Sequence, residues 1–375
     1  MRSALSNPLR DAWVEINLDL FEENLREIKK HVKSKRILAV VKADGYGHGS
    51  LMLAPTLIAY GITDFGVATL DEGLELRKNK IETPILVLGA VPFWGYENAL
   101  KNDIQISIYN EEHLEMARQI YDKTGKKLKV QIKIDTGMNR IGIQADKAVD
   151  FINLVKKSDF VELVGVFTHF ADVEDEEIFE EQVGKFKNII SLIDREGLII
   201  HCSNSGAILT REDLDFDMVR AGIILYGLTP FSKPEFMEYS SSLKQIIGLK
   251  ARITNIHKIK KGEGVSYGHK FVADKDMKVA TIPLGYADGV SRSLSNKIVA
   301  GFKGHVIKQV GNITMDQMML ELPCDVSAEV GEVVTLLGQD GENKFSIDEW
   351  ANILGTINYE LTCRLKVRLP RIYTR

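Results

Sequence analysis

The chain has 375 residues, of which 45% are hydrophobic and 27% charged. That is the balance of a globular protein of roughly two to three domains, and it excludes a disordered or fibrous chain. A formal charge of −4 leaves no electrostatic footprint for nucleic acid or an anionic membrane, and no apolar run approaches the roughly 18 residues of a transmembrane helix.

Met1 to Arg10 is polar and lacks an apolar core, so no secretory leader is expected. The segment 13–17 alternates apolar and polar residues, an extra strand that could serve either of two domains. From Arg36 onward, short β-branched runs alternate with helical stretches. Strands are expected at 36–41, 65–69, 84–88, 104–108, 127–134, 161–168, 199–202 and 217–219. Helices are expected at 69–79, 111–123, 146–156 and 176–195. Strands alternating with helices read as βαβ units and a parallel sheet. Eight strands is the count of a (β/α)8 TIM barrel, although a doubly wound sheet shares the same grammar. The acidic run 172–181 reads as a solvated helix start that complements the macrodipole.

Beyond about residue 240 the grammar changes. Strand-like stretches at 249–259, 264–267, 277–283, 297–299, 304–311 and 333–337 are separated by Gly-bearing turns, with few helices. This reads as a separate β-rich domain. A boundary near 231–242 divides the chain into residues 1–240 and 241–375. Cys202, Cys324 and Cys363 form no CxxC pair. Neither a disulfide framework nor a metal site is indicated, and reduced thiols in a cytoplasmic protein are expected.

In a TIM barrel the site lies at the C-terminal strand ends. The first strand runs into Lys42-Ala43-Asp44-Gly45-Tyr46-Gly47-His48-Gly49. A lysine desolvated at the barrel mouth has a lowered pKa, which favours Schiff-base chemistry; the plain alternative is a snorkelling, solvated amine. The glycines permit a sharp turn and close approach of a ligand. The GxxxxGK[ST] order of a phosphate P-loop is absent. The fifth strand ends in Lys133-Ile134-Asp135-Thr136-Gly137-Met138-Asn139-Arg140. Its cations suggest a carboxylate or phosphate site with Arg140 as the bidentate group. Ordinary ion pairing with Asp135 reads equally well. The sixth ends in Phe167-Thr168-His169-Phe170, where His169 is either a rim group or a structural histidine.

The seventh strand ends in His201-Cys202-Ser203-Asn204-Ser205-Gly206 and the eighth in Arg220-Ala221-Gly222-Ile223. Loops after these strands commonly form a phosphate site in this fold. Asn204, the Ser205 hydroxyl and the amides of Gly222 and Ile223 suit a phosphate, while Ser-Gly is otherwise ordinary turn punctuation. A lysine amine, a phosphate cradle and an arginine between them are the parts of a pyridoxal 5'-phosphate site.

These residues resemble a known family. Val40-Val41-Lys42-Ala43-Asp44-Gly45-Tyr46-Gly47-His48-Gly49 is similar to the cofactor-attachment signature of the alanine racemases. The Lys133–Arg140 block, Phe167-Thr168-His169-Phe170, Asn204-Ser205, Val219-Arg220-Ala221-Gly222-Ile223 and Leu225-Tyr226-Gly227 follow in family order. So do Val265-Ser266-Tyr267-Gly268, Pro283-Leu284-Gly285-Tyr286-Ala287-Asp288-Gly289, Met315-Asp316-Gln317 and Gly355-Thr356-Ile357-Asn358-Tyr359-Glu360. The match covers nearly the whole chain.

The resemblance implies a TIM barrel followed by a β-domain, in a head-to-tail homodimer whose sites are each completed by the partner's second domain. It implies interconversion of L-alanine and D-alanine, supplying D-alanine for peptidoglycan. Lys42 would carry the cofactor and act as base on the D face, with Tyr267 of the partner subunit as base on the L face. Tyr46, Asn204, Ser205, Gly222, Ile223 and Tyr359 would hold the phosphate and ring, and His169 would flank the ring. Arg220 would face the pyridine nitrogen, with His201 behind it. Arginine does not give up its proton, so the ring nitrogen would stay unprotonated and the ring a weaker electron sink, which disfavours side reactions. Arg140 would bind the phenolate oxygen and lie near the substrate carboxylate. Lys133 matches a position carbamylated in several members, where the new carboxylate orients that arginine. Met315, with Tyr286 and Asp316, would shape the substrate end.

The chain departs from the family in places. Asn312 stands where many members carry arginine, Thr314 where cysteine is frequent, and His269-Lys270 follow Tyr267-Gly268 in place of a small residue. Leu365-Lys366-Val367-Arg368 is a looser match. A broad-specificity racemase on the same scaffold is one rival, and a decarboxylase another, which Arg220 disfavours. A non-catalytic carrier of the cofactor would need no second base.

Overall fold

The computed structural model describes residues 9–34, 36–365 and 368–375. The polar start at 1–8 and the Lys366-Val367 pair of the looser C-terminal block lie outside the described residues. Two compact units emerge. One comprises Glu22–Leu225 and Thr229–Leu243; the other comprises the chain up to Phe21, Tyr226–Leu228 and Lys244–Arg375.

The first unit is a barrel. Its strands are Arg36–Val40, Asp64–Val67, Ile85–Val87, Ile104–Ile108, Leu128–Asp135, Val161–Phe167, Ile199–His201 and Met218–Ala221. Neighbours pair in parallel in that order, and the eighth returns to the first through Arg220↔Leu38. Between the seventh and eighth, Asp217 N–H donates to the Ile200 carbonyl at 3.1 Å and Arg220 N–H to that of Ser203 at 3.0 Å. This is the eight-stranded parallel barrel that the alternation predicts. The doubly wound alternative is ruled out by the pairing of the last strand with the first. Strands such as Asp64–Val67 and Ile104–Ile108 are buried along their whole length. Parallel strands covered on both faces are accordingly apolar runs rather than alternating ones.

The expected helices appear as Leu70–Lys78, Glu111–Thr124, Ala148–Lys157 and Glu176–Ser191. Thr69, Asn110 and Asp175 cap three of them with side-chain oxygens, which removes otherwise orphaned N–H groups at the helix start. The acidic run at 172–181 is thus a cap and a first turn, as its charge pattern predicts. The helix after it stops at Ser191, short of 195, where the Asp194 side chain takes the N–H of Glu196 and a bond from Lys156. Several helices were not foreseen, among them Ser50–Ala59, Tyr96–Lys101, Ser205–Thr210, Ile347–Leu354 and Asn358–Arg364. Ser50–Ala59 carries Pro55 inside it, and Ser205–Thr210 is too short to show a period.

The second unit is mostly strand. Its main sheet runs Asn255–Ile259, Met277–Ile282, Met318–Leu322, His305–Val310, Val299–Phe302, Val333–Asp340, Ile247–Arg252, Ala12–Asn17 and Arg371–Thr374. The pairs are antiparallel except the last, in which Ala12–Asn17 runs parallel to Arg371–Thr374. The single strand expected at 249–259 is two strands. Ile253 N–H donates to Glu332 and Thr254 N–H to Thr281, so the chain changes partner at that point and bends. The early segment expected at 13–17 is the Ala12–Asn17 strand, and it pairs with Ile247–Arg252. Met318–Leu322 was missed because its two methionines carry little strand signal.

Candidate active site

Lys42 follows the first barrel strand, as expected, and opens a backbone of unusual hand. Ala43, Asp44, Gly45 and Tyr46 all have φ between 52 and 62°, and Gly47 has φ 82°. A left-handed turn costs on the order of 1–2 kcal/mol for each residue with a Cβ, so it persists only where its surroundings fix it. Those restraints are present. Gly45 N–H donates to Val41 at 2.8 Å and Gly47 N–H to Ala43 at 2.9 Å. The Ala43 N–H donates to a Glu72 carboxylate oxygen at 2.7 Å, and the other oxygen of Glu72 accepts from Ala68 at 2.7 Å. Asp44 accepts from Ser50 N–H at 2.8 Å. The buried His48 ring lies with Nδ1 2.9 Å from the Gly45 carbonyl. The turn places the Tyr46 ring with its centroid 5.8 Å from the Lys42 amine.

Arg220, on the eighth strand, is buried. Its guanidinium donates to the carbonyls of Thr168 at 2.7 Å and Cys202 at 2.9 Å, and to His201 Nδ1 at 2.9 Å. His169 Nδ1 lies 3.4 Å from the same guanidinium. Since arginine can only donate, His201 Nδ1 accepts, and the proton sits on Nε2. His201 Nε2 then donates to Gln131 Oε1 at 2.7 Å, and Gln131 Nε2 donates to Gln105 Oε1 at 2.6 Å. The chain of donors is continuous from guanidinium to Gln105. Burial, with Arg220 beside them, holds the imidazoles of His201 and His169 well below the usual histidine value. Burial also pulls Arg220 down to about 10, so it remains a cation at neutral pH. Gln131 and Gln105 were not singled out in the sequence. Their signal was available: each is a polar residue inside a strand buried on both faces.

Lys133 is buried on the fifth strand, its amine 5.7 Å from the Phe167 ring centroid. Its pKa is pushed down to about 8, chiefly by burial and then by Arg140, Arg220 and Lys42, with Asp135 opposing. Arg140 is exposed, in the loop beyond. That loop is shaped by Asp135, which accepts from Gly137 and Asn139, each at 3.0 Å. Four cations thus act on one another at the rim, which suits an anionic ligand.

A cradle closes on Gly222. Its N–H donates to Ser205 Oγ at 3.0 Å. A Cβ at this glycine would lie 3.2 Å from Tyr46 Oη and 3.3 Å from Ser205 Oγ. Asn204 caps the helix that Ser205 begins, and Ile223 is fully buried. The two hydroxyls therefore converge on the glycine, and with the rim cations they are a donor set that fits the phosphate and ring of pyridoxal 5'-phosphate. Among the described residues no group of His, Cys, Asp and Glu could hold a metal ion, and no helix is long and apolar enough to cross a membrane.

The remaining candidates belong to the β-rich unit. Tyr267 is 75% exposed on the turn Tyr267–His269. Met315 and Tyr286 are also exposed. Their loops are pinned together, since Tyr286 N–H donates to Thr314 and Ala287 N–H to Met315, each at 3.0 Å. Asp316 pairs with Arg368 at 2.6 Å, and Arg368 also pairs with the buried Asp288 at 2.6 Å. Tyr359 is half-buried on the helix Asn358–Arg364.

Two family descriptions match the chain: "Alanine racemase, N-terminal domain" over residues 16–230 and "Alanine racemase, C-terminal domain" over residues 246–373. An alanine racemase of Nostoc sp. is 39% identical, with 96% of this chain and 95% of that protein covered. A solved alanine racemase of Clostridium difficile 630 superposes with a TM-score of 0.91 at 38% identity, covering 97% of this chain and 96% of that one. A histidine racemase of Leuconostoc mesenteroides also superposes, with a TM-score of 0.89 at 30% identity, covering 98% of this chain and 99% of that one.

Proposed function

The chain belongs to the alanine racemase family, and we propose that it works with two bases, Lys42 of one subunit and Tyr267 of another. It is an isomerase that interconverts L-alanine and D-alanine, and its family depends on pyridoxal 5'-phosphate. The D-alanine serves peptidoglycan synthesis, and the enzyme acts in the cytoplasm, a reading in keeping with three sparse cysteines. It is a homodimer whose sites are each completed by the partner's β-rich unit.

When bound, the cofactor supplies an electron sink that acidifies the amino acid's Cα–H. Lys42 would hold it covalently. Tyr46, Asn204, Ser205, Gly222, Ile223 and Tyr359 would hold its phosphate and ring, and His169 would flank the ring. Arg220 would serve the pyridine nitrogen. With His201 Nδ1 accepting and two carbonyls engaged, the guanidinium would offer that nitrogen a hydrogen bond and not a proton. The electron sink that the cofactor supplies would thereby be moderated, and decarboxylation and transamination disfavoured. Arg140 binds the substrate carboxylate. Lys133, its amine partly neutral near pH 8, is chemically open to carbamylation, which would turn a repelling cation into a carboxylate able to orient Arg140.

Inversion at Cα needs one group to take a proton and another, on the opposite face, to return one. Lys42 Nζ serves the D face and Tyr267 Oη the L face. Met315, Tyr286 and Asp316 bound the substrate end. The observation that carries the reading is the barrel rim, where Lys42, Lys133, Arg140 and Arg220 gather beside a cradle that closes on Gly222.

The test is chiral. The holoenzyme is incubated separately with L-alanine, L-serine and L-lysine in deuterated water. D-alanine carrying deuterium at Cα, in large excess over the other D-products, is expected. Bound cofactor with no Cα exchange on any substrate would contradict it.

A further inference from the structure

We infer that Asn312 is the positioning residue for Tyr267, fixing the backbone on which the second base stands. The inference rests on Tyr267 being that base. Tyr267 sits in a strained segment. Ser266, Gly268 and His269 have φ of 65, 68 and 42°, so two residues with a Cβ occupy the left-handed region on either side of it. Each such residue costs of order 1–3 kcal/mol and persists only if neighbours over-determine it. Within its own chain the Tyr267 ring cannot do so, being 75% exposed. Whatever this chain uses to present the phenol to a partner must hold its main chain.

Asn312 does this from below. It is buried, and its Nδ2 donates to the Tyr267 carbonyl at 2.6 Å. Its own carbonyl accepts from Ser266 Oγ at 2.8 Å. One residue therefore grips both ends of the Ser266–Tyr267 dipeptide. Its neighbour Gly311 presses on the same strand: a Cβ there would lie 2.7 Å from the Val265 carbonyl and 2.9 Å from Ser266 Cβ. Val265 and Val310 belong to one apolar cluster, with Phe271 packed against it, so both sides of the grip are anchored in core. The far side of the turn is closed by His269, whose imidazole fills the space a Cβ at Gly264 would need. The carboxamide is the element that cannot be exchanged silently. An aspartate of the same shape would turn a lone pair toward the Tyr267 carbonyl in place of an N–H, and a displacement of about 1 Å at a reacting group can lower a rate by about 100-fold.

The experiment starts from D-alanine in deuterated water with holoenzyme. It records two quantities: deuterium washed into recovered D-alanine, which needs only Lys42, and conversion to L-alanine, which needs both bases. Tyr267→Phe is the reference and should lower conversion while sparing wash-in. Asn312→Asp should do the same, with conversion down about 10- to 100-fold and wash-in within about threefold of wild type. If Asn312→Asp does not fold, Ser266→Ala, which removes only the reciprocal bond, decides the question with a change of the same kind and smaller size. An equal fall in wash-in and conversion, or no change in either, overturns the role of Asn312. If Tyr267→Phe itself fails to separate the two quantities, the two-base reading fails and the inference falls with it.

Discussion

The two regions to which the reactive side chains are assigned hold them in opposite ways. At the barrel rim, Arg220 is 3% exposed and each of its nitrogen donors named above has a side-chain or carbonyl partner. In the β-rich unit, Tyr267 is 75% exposed, and the restraint falls on its main chain through Asn312. The barrel fixes the side chains themselves, by burial and by a hydrogen-bonded line running through His201 to Gln131 and Gln105. The β-rich unit fixes a strained backbone and leaves the phenol outward. A preorganised electrostatic site needs the first arrangement. A group offered to another subunit needs the second.

The largest effect should come from removing the covalent anchor proposed for the rim. Lys42→Ala is expected to lose about 10³-fold or more in racemisation and to lose the lysine-linked cofactor absorbance. Borohydride trapping that persists unchanged in this variant would remove Lys42 from its role. Arg220→Met should instead act on stability. It strands His201 Nδ1 and the carbonyls of Thr168 and Cys202, at a cost of about 2–4 kcal/mol in denaturant unfolding. A variant as stable as wild type would show that the rim is not held by this network, and the contrast with the β-rich unit would dissolve. A smaller, pH-dependent effect sharpens the same point. Burial keeps His201 neutral, well below its ordinary 6.5, so below that value the unfolded chain binds a proton the folded chain refuses. Stability is therefore full above about pH 7 and falls as pH drops through 6.5, by at most about 1.4 kcal/mol per pH unit from this group. His201→Gln should flatten that slope in thermal unfolding at pH 5 and pH 7.5. An unchanged slope would assign the acid sensitivity elsewhere.

Much of this was legible in the sequence, for physical reasons that also mark where legibility stopped. Parallel strands buried on both faces must be apolar runs, and such runs stand out, so all eight barrel strands were visible. Because the fold places its chemistry at strand ends, position alone singled out the segments that hold Lys42, Arg220 and Gly222, while the part expected of Arg220 came from the family resemblance. The Ser50–Ala59 helix was hidden by its internal proline, and the break at Ile253-Thr254 by a continuous apolar run whose pairing partner changes only in space. Groups that act through other groups were the least visible. Glu72, Gln131 and Gln105 lie far along the chain from what they support, and only tertiary structure joins them. Asn312 stood out merely as a departure from the arginine expected there. Its bond to the Tyr267 carbonyl is what the inferred role rests on, and only the fold reveals it.

The central claim is that one site needs the barrel of one subunit and the Tyr267 turn of another. It is tested most directly by mixing two inactive proteins, Lys42→Ala and Tyr267→Ala, under conditions where subunit exchange is demonstrated by mass-tagged chains. Shared sites predict that activity returns, approaching about a quarter of the wild-type value when half the dimers are mixed and one of their two sites is intact. Proven mixed dimers with no recovered activity would contradict the account.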